Sequence, residues 1–217
     1  MTDFSEHELR FRTLVHQEDK EAAYRLRHQV FAEELGWVPC KEDGREVDDY
    51  DRDCILVGLS DRSRLLGCLR ILLPHQQFMI EKEFKGLLGD HRIEKGKETI
   101  EVTRFCLAGD LRKSQVITRY GRFPLVMALE KAFYSWCRAN GMDEVYMVVS
   151  KFFFRLLNLL GMPCTALAPP VTMPDGVVAL AAISSWSAFE LFNEEKNPAL
   201  LAWFRDSSGV EVSRRAA

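Results

Sequence analysis

Residues 99–107, Thr99-Ile100-Glu101-Val102-Thr103-Arg104-Phe105-Cys106-Leu107, hold the reading on which the fold turns. β-Branched and aromatic residues suit a pleated surface, so the stretch reads as a strand with Glu101 and Thr103 on one wet face. Upstream, Ile55 to Leu59 and Leu65 to Leu73 are apolar runs separated by the polar Ser60-Asp61-Arg62-Ser63-Arg64, which predicts an antiparallel hairpin. Phe78 to Leu88 reads as a short helix. Before these, Glu18 to Leu35 carries Ala23, Leu26 and Val30 at helical spacing and stops at Gly36. Downstream, Asp110 to Thr118 reads as a loop and Phe123 to Ala139 as a long amphipathic helix ending at Asn140-Gly141. Glu144 to Val149 is then a strand, Phe152 to Leu160 a helix closed by Gly161, and Val177 to Ser185 another strand. Glu190 to Phe204 is helical with a break at Asn197-Pro198. The order of helix, three-strand meander, helix, strand, helix and strand predicts a mixed α/β sheet. A doubly wound nucleotide fold would show strand–helix alternation from the start and a glycine-rich first turn, and neither is present.

Composition narrows the function. At 217 residues, 47% hydrophobic and 28% charged, the chain suits one globular domain over 1–217, with an N-terminal helix and covering loop (1–53), a sheet core (54–187) and a helical tail (188–217). A net charge of -3 argues against a general nucleic-acid binder, which would show a basic excess. The polar, acidic start lacks a secretory core, and the longest apolar run, Val177 to Ile183, is too short to cross a bilayer. The six cysteines are scattered without a Cys-x-x-Cys pair, which points to reduced thiols in a cytoplasmic protein and to no metal site.

Several groups carry potential chemistry. Arg27 and Phe31 are neighbours on one helix face, with Trp37 just beyond its end, so a cation and two rings could hold a carboxylate and cover a sulfonium. Taken alone, an ordinary half-buried helix edge explains them better. The run Asp48-Asp49-Tyr50-Asp51-Arg52-Asp53 is either a solvated loop, a metal site lacking the glycine and glutamate of a calcium loop, or a binder of a ligand ammonium. Glu101 and Arg104 face opposite sides of a regular strand and share a face only if a β-bulge intervenes, which would also turn a backbone N–H toward a thioester oxygen. There is no nucleophile-elbow Gly-x-Ser-x-Gly, phosphate-binding loop or His-Glu-x-x-His, and the five histidines are isolated.

As an ordered set these groups resemble the LuxI-type acyl-homoserine lactone synthases. The strings are Arg27-His28-Gln29-Val30-Phe31, Leu35-Gly36-Trp37, Glu46-Val47-Asp48-Asp49-Tyr50-Asp51 and Gly67-Cys68-Leu69-Arg70-Ile71-Leu72-Leu73-Pro74. Glu101-Val102-Thr103-Arg104-Phe105 is similar to the family's Glu-x-Ser-Arg-Phe, with Thr103 in place of serine. The resemblance implies a GNAT-like (acyl-CoA N-acyltransferase) three-layer fold with a mixed, splayed sheet. It implies an acyltransferase that joins an acyl chain from acyl carrier protein or acyl-CoA to the amine of S-adenosylmethionine, a substrate rather than a cofactor. The lactone closes with loss of methylthioadenosine, giving a quorum-sensing signal.

By the same resemblance Glu101 is the base and Arg104 its brace or a positioner of the substrate carboxylate. Phe31 and Trp37 close over adenosylmethionine. Asp48 and Asp51 bind its ammonium or ribose, or tie down the N-terminal lid through Arg27 and Arg70. The backbone near Phe105 meets the oxyanion. Met147 stands where members favouring 3-oxo chains carry threonine, which implies an unsubstituted chain. Arg155 stands where the family docks its carrier protein, without the extra arginines often found there, so acyl-CoA remains an alternative donor. A long-chain N-acyl amino acid synthase of the same fold and a non-catalytic binding module are the competing readings.

Overall fold

The computed structural model describes residues 3–213; residues 1–2 and 214–217 of the expected domain lie outside the described residues. In chain order, β1 (Asp3–Ser5) and β2 (Arg10–Thr13) precede α1 (Gln17–Arg27), which continues into a π-helical segment, His28–Glu34. β3 (Ile55–Ser60), β4 (Leu65–Leu72), α2 (Met79–Lys82) and β5 (Thr99–Leu107) follow. Next come β6 (Gln115–Thr118), β7 (Gly121–Pro124), α3 (Leu125–Ala139), β8 (Glu144–Ser150) and α4 (Lys151–Leu159). The remaining elements are β9 (Cys164–Ala166), β10 (Val171–Thr172), β11 (Val178–Ser185), α5 (Trp186–Lys196), α6 (Pro198–Arg205) and β12 (Val210–Glu211).

The chain forms two compact units. The first comprises Met1–Ile71, Arg104–Asn140 and Ala202–Ala217. Within it β2, β3 and β4 form an antiparallel run, with Phe11 opposite Leu59 and Val57 opposite Leu69, and β12 adds in parallel beside β2. A small second sheet sets β1 parallel to β6 and β6 antiparallel to β7. α3 packs on β2 and β3 and buries Leu125, Met127, Leu129, Phe133 and Trp136, each contributing about 1.5–3 kcal/mol. A Cβ at Gly67 would lie 2.6 Å from Leu107 and 2.9 Å from the Cys106 carbonyl, so only glycine fits that point of β4. The unit's ends are joined through Glu6, which accepts from Lys131 Nζ (2.8 Å) and Trp203 Nε1 (2.6 Å).

The second unit comprises Leu72–Thr103 and Gly141–Leu201. Thr99–Val102 of β5 pairs in parallel with Glu144–Met147 of β8, while β8 pairs antiparallel with β11, so the sheet is mixed as expected. α4 and α5 start at Ser150 and Ser185, whose hydroxyls accept the Phe153 and Ala188 amides. Gly161, at φ 85, ends α4 and gives its carbonyl to Asn193 of α5 at 2.7 Å.

Three expectations change. The helix expected over 18–35 is regular only to Arg27; the Leu35 amide then reaches back five residues to the Val30 carbonyl, so a π-turn replaces the last α-turns. The loop expected over 110–118 contains β6, and the following helix starts at Leu125 because residues 121–124 pair with β6. Phe78 to Leu88 is two separate short turns, Met79–Lys82 and Lys85–Leu87.

Candidate active site

The first unit gathers Arg27, Phe31, Trp37, Asp48, Asp51, Arg70 and Arg104. Arg27, at the end of α1, is fully buried. Its Nε donates to Glu46 at 2.5 Å, and its two terminal nitrogens donate to Asp51 at 2.7 and 2.9 Å, a bidentate fork. Arg70, on β4 and equally buried, donates to Asp48 at 2.5 and 3.1 Å and lies 3.1 Å from Asp51. Arg104 donates to Glu46 at 2.9 and 3.0 Å and to Asp48 at 2.9 Å. Three guanidinium groups thus face three carboxylates, and residues 46–51 are bound to α1, β4 and β5.

Burial and pairing act in opposite directions on these groups. Desolvation alone would raise the Asp51 pKa, but the Arg27 hydrogen bonds and the Arg27 and Arg70 charges outweigh it and hold the carboxyl at about 2. Desolvation would likewise lower Arg27 and Arg70, and their carboxylate partners raise both above the ordinary value. Cys54 has no such cation at contact, and burial pushes its thiol up to about 12. Within the acidic run Asp48 and Asp51 are therefore ion-paired, while Asp49 and Asp53 stay on the exposed side of the loop. Asp48 also caps its own turn by accepting the Tyr50 amide at 2.9 Å.

Arg104 is the only non-glycine residue with positive φ among the described residues, at φ 53. A left-handed L-residue costs about 1–2 kcal/mol, which the paired guanidinium offsets. At this residue the backbone departs from the extended conformation of the strand. The Arg104 guanidinium lies 5.8 Å from the Phe31 ring centre, and Phe31 stacks with Trp37 at 6.1 Å and 27°. Phe31 is buried while Trp37 is 42% exposed, so the ring pair has one wet side. Phe105 follows Arg104 in the strand, half-buried.

The second unit holds Glu101, Met147 and Arg155. Glu101, expected on a wet strand face, is instead fully buried, because its two oxygens accept the Met79 amide at 2.6 Å and the Ile80 amide at 2.9 Å. Met147, on β8, is buried opposite Val102. Arg155 is exposed on α4.

Sequence reasoning assigned no role to Glu46, which joins Arg27 to Arg104. Its signal was available: a carboxylate two residues before Asp48 on the same loop. No pattern marked the Met79 and Ile80 amides. His28, Glu33 and Cys40 bring ligand-type atoms within 4.8 Å of one another. The His28 ring is already engaged on both sides, with Nδ1 3.2 Å from Glu33 and Nε2 accepting the Lys41 amide at 3.1 Å. No helix among the described residues is long and apolar enough to cross a membrane.

Residues 11–188 match the autoinducer synthase family. An acyl-homoserine-lactone synthase of Rhizobium radiobacter is 31% identical over 156 residues, 71% of this chain and 73% of that protein. One of Aeromonas salmonicida is 30% identical over 156 residues, 71% of this chain and 74% of that protein. This chain belongs to the autoinducer synthase family and is an acyltransferase. Among solved structures, the CoA-dependent acyl-homoserine lactone synthase BjaI with MTA matches at TM-score 0.77 and 19% identity, over 96% of this chain and 95% of that one. FeeM, an N-acyl amino acid synthase from uncultured soil microbes, matches at TM-score 0.60 and 17% identity, over 84% and 93%. These likenesses establish the expected GNAT-like α/β fold.

Proposed function

We infer that this autoinducer synthase makes an acyl-homoserine lactone from S-adenosylmethionine and an acyl thioester. The observation that carries the reading is the buried cluster of Arg27, Glu46, Asp48, Asp51, Arg70 and Arg104 beside the Phe31–Trp37 rings. Its members are the residues on which the family resemblance rests, with Glu46 added. A relative in BjaI, solved with SAM and isopentyl-CoA, supports both substrate classes.

The chemistry balances without a resident cofactor or metal. The substrate ammonium gives a proton to Glu101, directly or through water, and the free amine attacks the thioester carbonyl. The amide forms as the thiolate leaves and takes up a proton. The methionine carboxylate then attacks the carbon bonded to the sulfonium, closing the lactone and releasing neutral methylthioadenosine. In this reading Arg104 orients the substrate carboxylate, Phe31 and Trp37 cover the sulfonium, and the backbone at Phe105 meets the oxyanion. Asp48 and Asp51 hold the Arg27–Arg70 frame beneath the ligand. Met147 favours an unsubstituted acyl chain. The donor is acyl-CoA or acyl carrier protein, with Arg155 on α4 as the docking residue for the latter; Arg155→Glu then raises KM for the carrier-bound donor and leaves acyl-CoA unchanged.

The deciding experiment measures methylthioadenosine release with each substrate alone and with both. Release only when both are present, matched by lactone in mass spectra, supports the reading. Acylated product without methylthioadenosine would overturn it and favour an N-acyl amino acid synthase. No product from any combination would leave only a binding module.

A further inference from the structure

Glu101 is held by a turn that is itself held by one side chain. The two amides that bind its carboxylate, Met79 and Ile80, open the four-residue α2, so the carboxylate orientation depends on how residues 76–81 are fixed. Within that turn the Glu81 carboxylate accepts the Phe78 amide at 2.9 Å. Lys95 comes from the irregular stretch before β5 and touches the turn at three points. Its Nζ donates to the Gln76 carbonyl at 2.8 Å, pairs with Glu81 at 2.5 Å and sits 4.0 Å from the Phe78 ring centre. Phe78 is fully buried and lies 6.5 Å from the Tyr146 ring, while the Lys95 side chain is 20% exposed. An exposed ion pair adds little stability, but a cation fixed by a carbonyl, a carboxylate and a ring face is geometrically specific.

We propose that Lys95 is a positioning residue for Glu101: it locks residues 76–81 in the turn whose Met79 and Ile80 amides aim the carboxylate. This rests on the role given to Glu101 above. It extends the catalytic apparatus to Lys95 and Glu81, which touch no reacting atom.

The test is a mutant cycle on the whole protein, with initial rates of methylthioadenosine release in the presence of both substrates. Lys95→Met should lower kcat about tenfold, because a misaimed catalytic group loses rate steeply with displacement. KM for either substrate should stay within about twofold, since no binding contact is removed. Lys95→Arg, which keeps the charge, carbonyl contact and ring contact, should recover most of the lost rate. In the Glu101→Gln background, Lys95→Met should have less than about a twofold effect, because the group it serves is already gone. Glu81→Leu, which removes the oxygen engaged by both the Phe78 amide and Lys95, is a second route to the same loss if Lys95→Met folds poorly. Equal effects of Lys95→Met with and without Glu101, a parallel change in KM, or an unchanged kcat would each overturn the proposal. A wild-type protein that releases no methylthioadenosine defeats the substrate reading instead, so the two failures are distinct.

Discussion

Glu130 sits on the inner side of α3, 5% exposed, with no hydrogen bond or ion pair among the described residues. Burial pushes its carboxyl from 4.5 up to about 8. The folded protein therefore keeps this proton where the unfolded chain has lost it, and stability must fall as pH rises. The contribution is intact below 4.5, declines as pH rises toward about 8, and is fully lost above that. At about 1.4 kcal/mol per pH unit, the change between pH 5 and pH 9 is about 4 kcal/mol. For a chain of this length that is roughly 10 °C in Tm. Glu130→Gln removes the titration and keeps the volume, so subtracting its stability from the wild-type value cancels every other titrating group. Urea denaturation at pH 5, 6, 7, 8 and 9 should show wild type losing ground to the variant by about 4 kcal/mol across the series. Parallel curves, agreeing within about 0.5 kcal/mol after a constant offset, would refute the reasoning and mean that Glu130 reaches water or a partner when it ionises.

Other outcomes follow from the ion-paired cluster and its rings. Arg27→Met leaves Glu46 and Asp51 short of their buried cation and should cost about 3–5 kcal/mol in urea titrations; a loss under about 1 kcal/mol would contradict the burial. Asp51 is held at about 2 against an ordinary 3.8, so its contribution is present above 3.8 and is lost as pH falls toward 2. Asp51→Asn should flatten that acid limb by about 2 kcal/mol in pH-dependent melts. Trp37→Ala should raise KM for S-adenosylmethionine about tenfold with little change in stability, because the ring is 42% exposed; an unchanged KM would remove the ring from the ligand. Glu101→Gln should lower turnover by about a hundredfold while S-adenosylmethionine binding changes little; equal losses would make Glu101 a binding residue.

Long, strongly patterned elements were legible in the sequence. Residues 99–107 are β5 at both ends, the Ile55 and Leu65 runs are the β3–β4 hairpin, and Pro198 separates α5 from α6. Short strands with charges between their apolar residues were not. β1 pairs Phe4 with Val116, a partner more than a hundred residues away, and the burial of both side chains is a tertiary fact without a local pattern. The π-turn was hidden for a related reason. Val30 and Phe31 suit the buried side of an α-helix, and nothing in residue spacing announces one extra residue in the turn. In the site, the family resemblance offered pairing of Asp48 and Asp51 with Arg27 and Arg70 as one alternative, but not which pairs with which or the part of Glu46: Arg27 takes Asp51 and Glu46, and Arg70 takes Asp48 and lies beside Asp51.

The pairing determines what mutagenesis of this site can reveal. Residues 46–51 contain only the single turn Asp49–Asp51, so apolar burial cannot hold them as it holds α3. They are held by Arg27, Arg70 and Arg104, which stand on α1, β4 and β5. Removing one carboxylate strands a buried guanidinium, whereas removing one guanidinium strands a carboxylate, and either loosens the loop before any ligand arrives. Loss of turnover in an Asp48, Asp51 or Arg27 variant is therefore expected whether or not that side chain touches substrate. Trp37 and Glu101 are cleaner probes. Trp37 is half exposed and carries no ion pair, and Glu101→Gln keeps one oxygen acceptor while its NH2 faces the second α2 amide, so its loss of kcat is read beside a melt that reports the α2 turn. Changes in KM at Trp37 and in kcat at Glu101 bear on chemistry, while changes among the paired residues bear first on the frame that holds the loop.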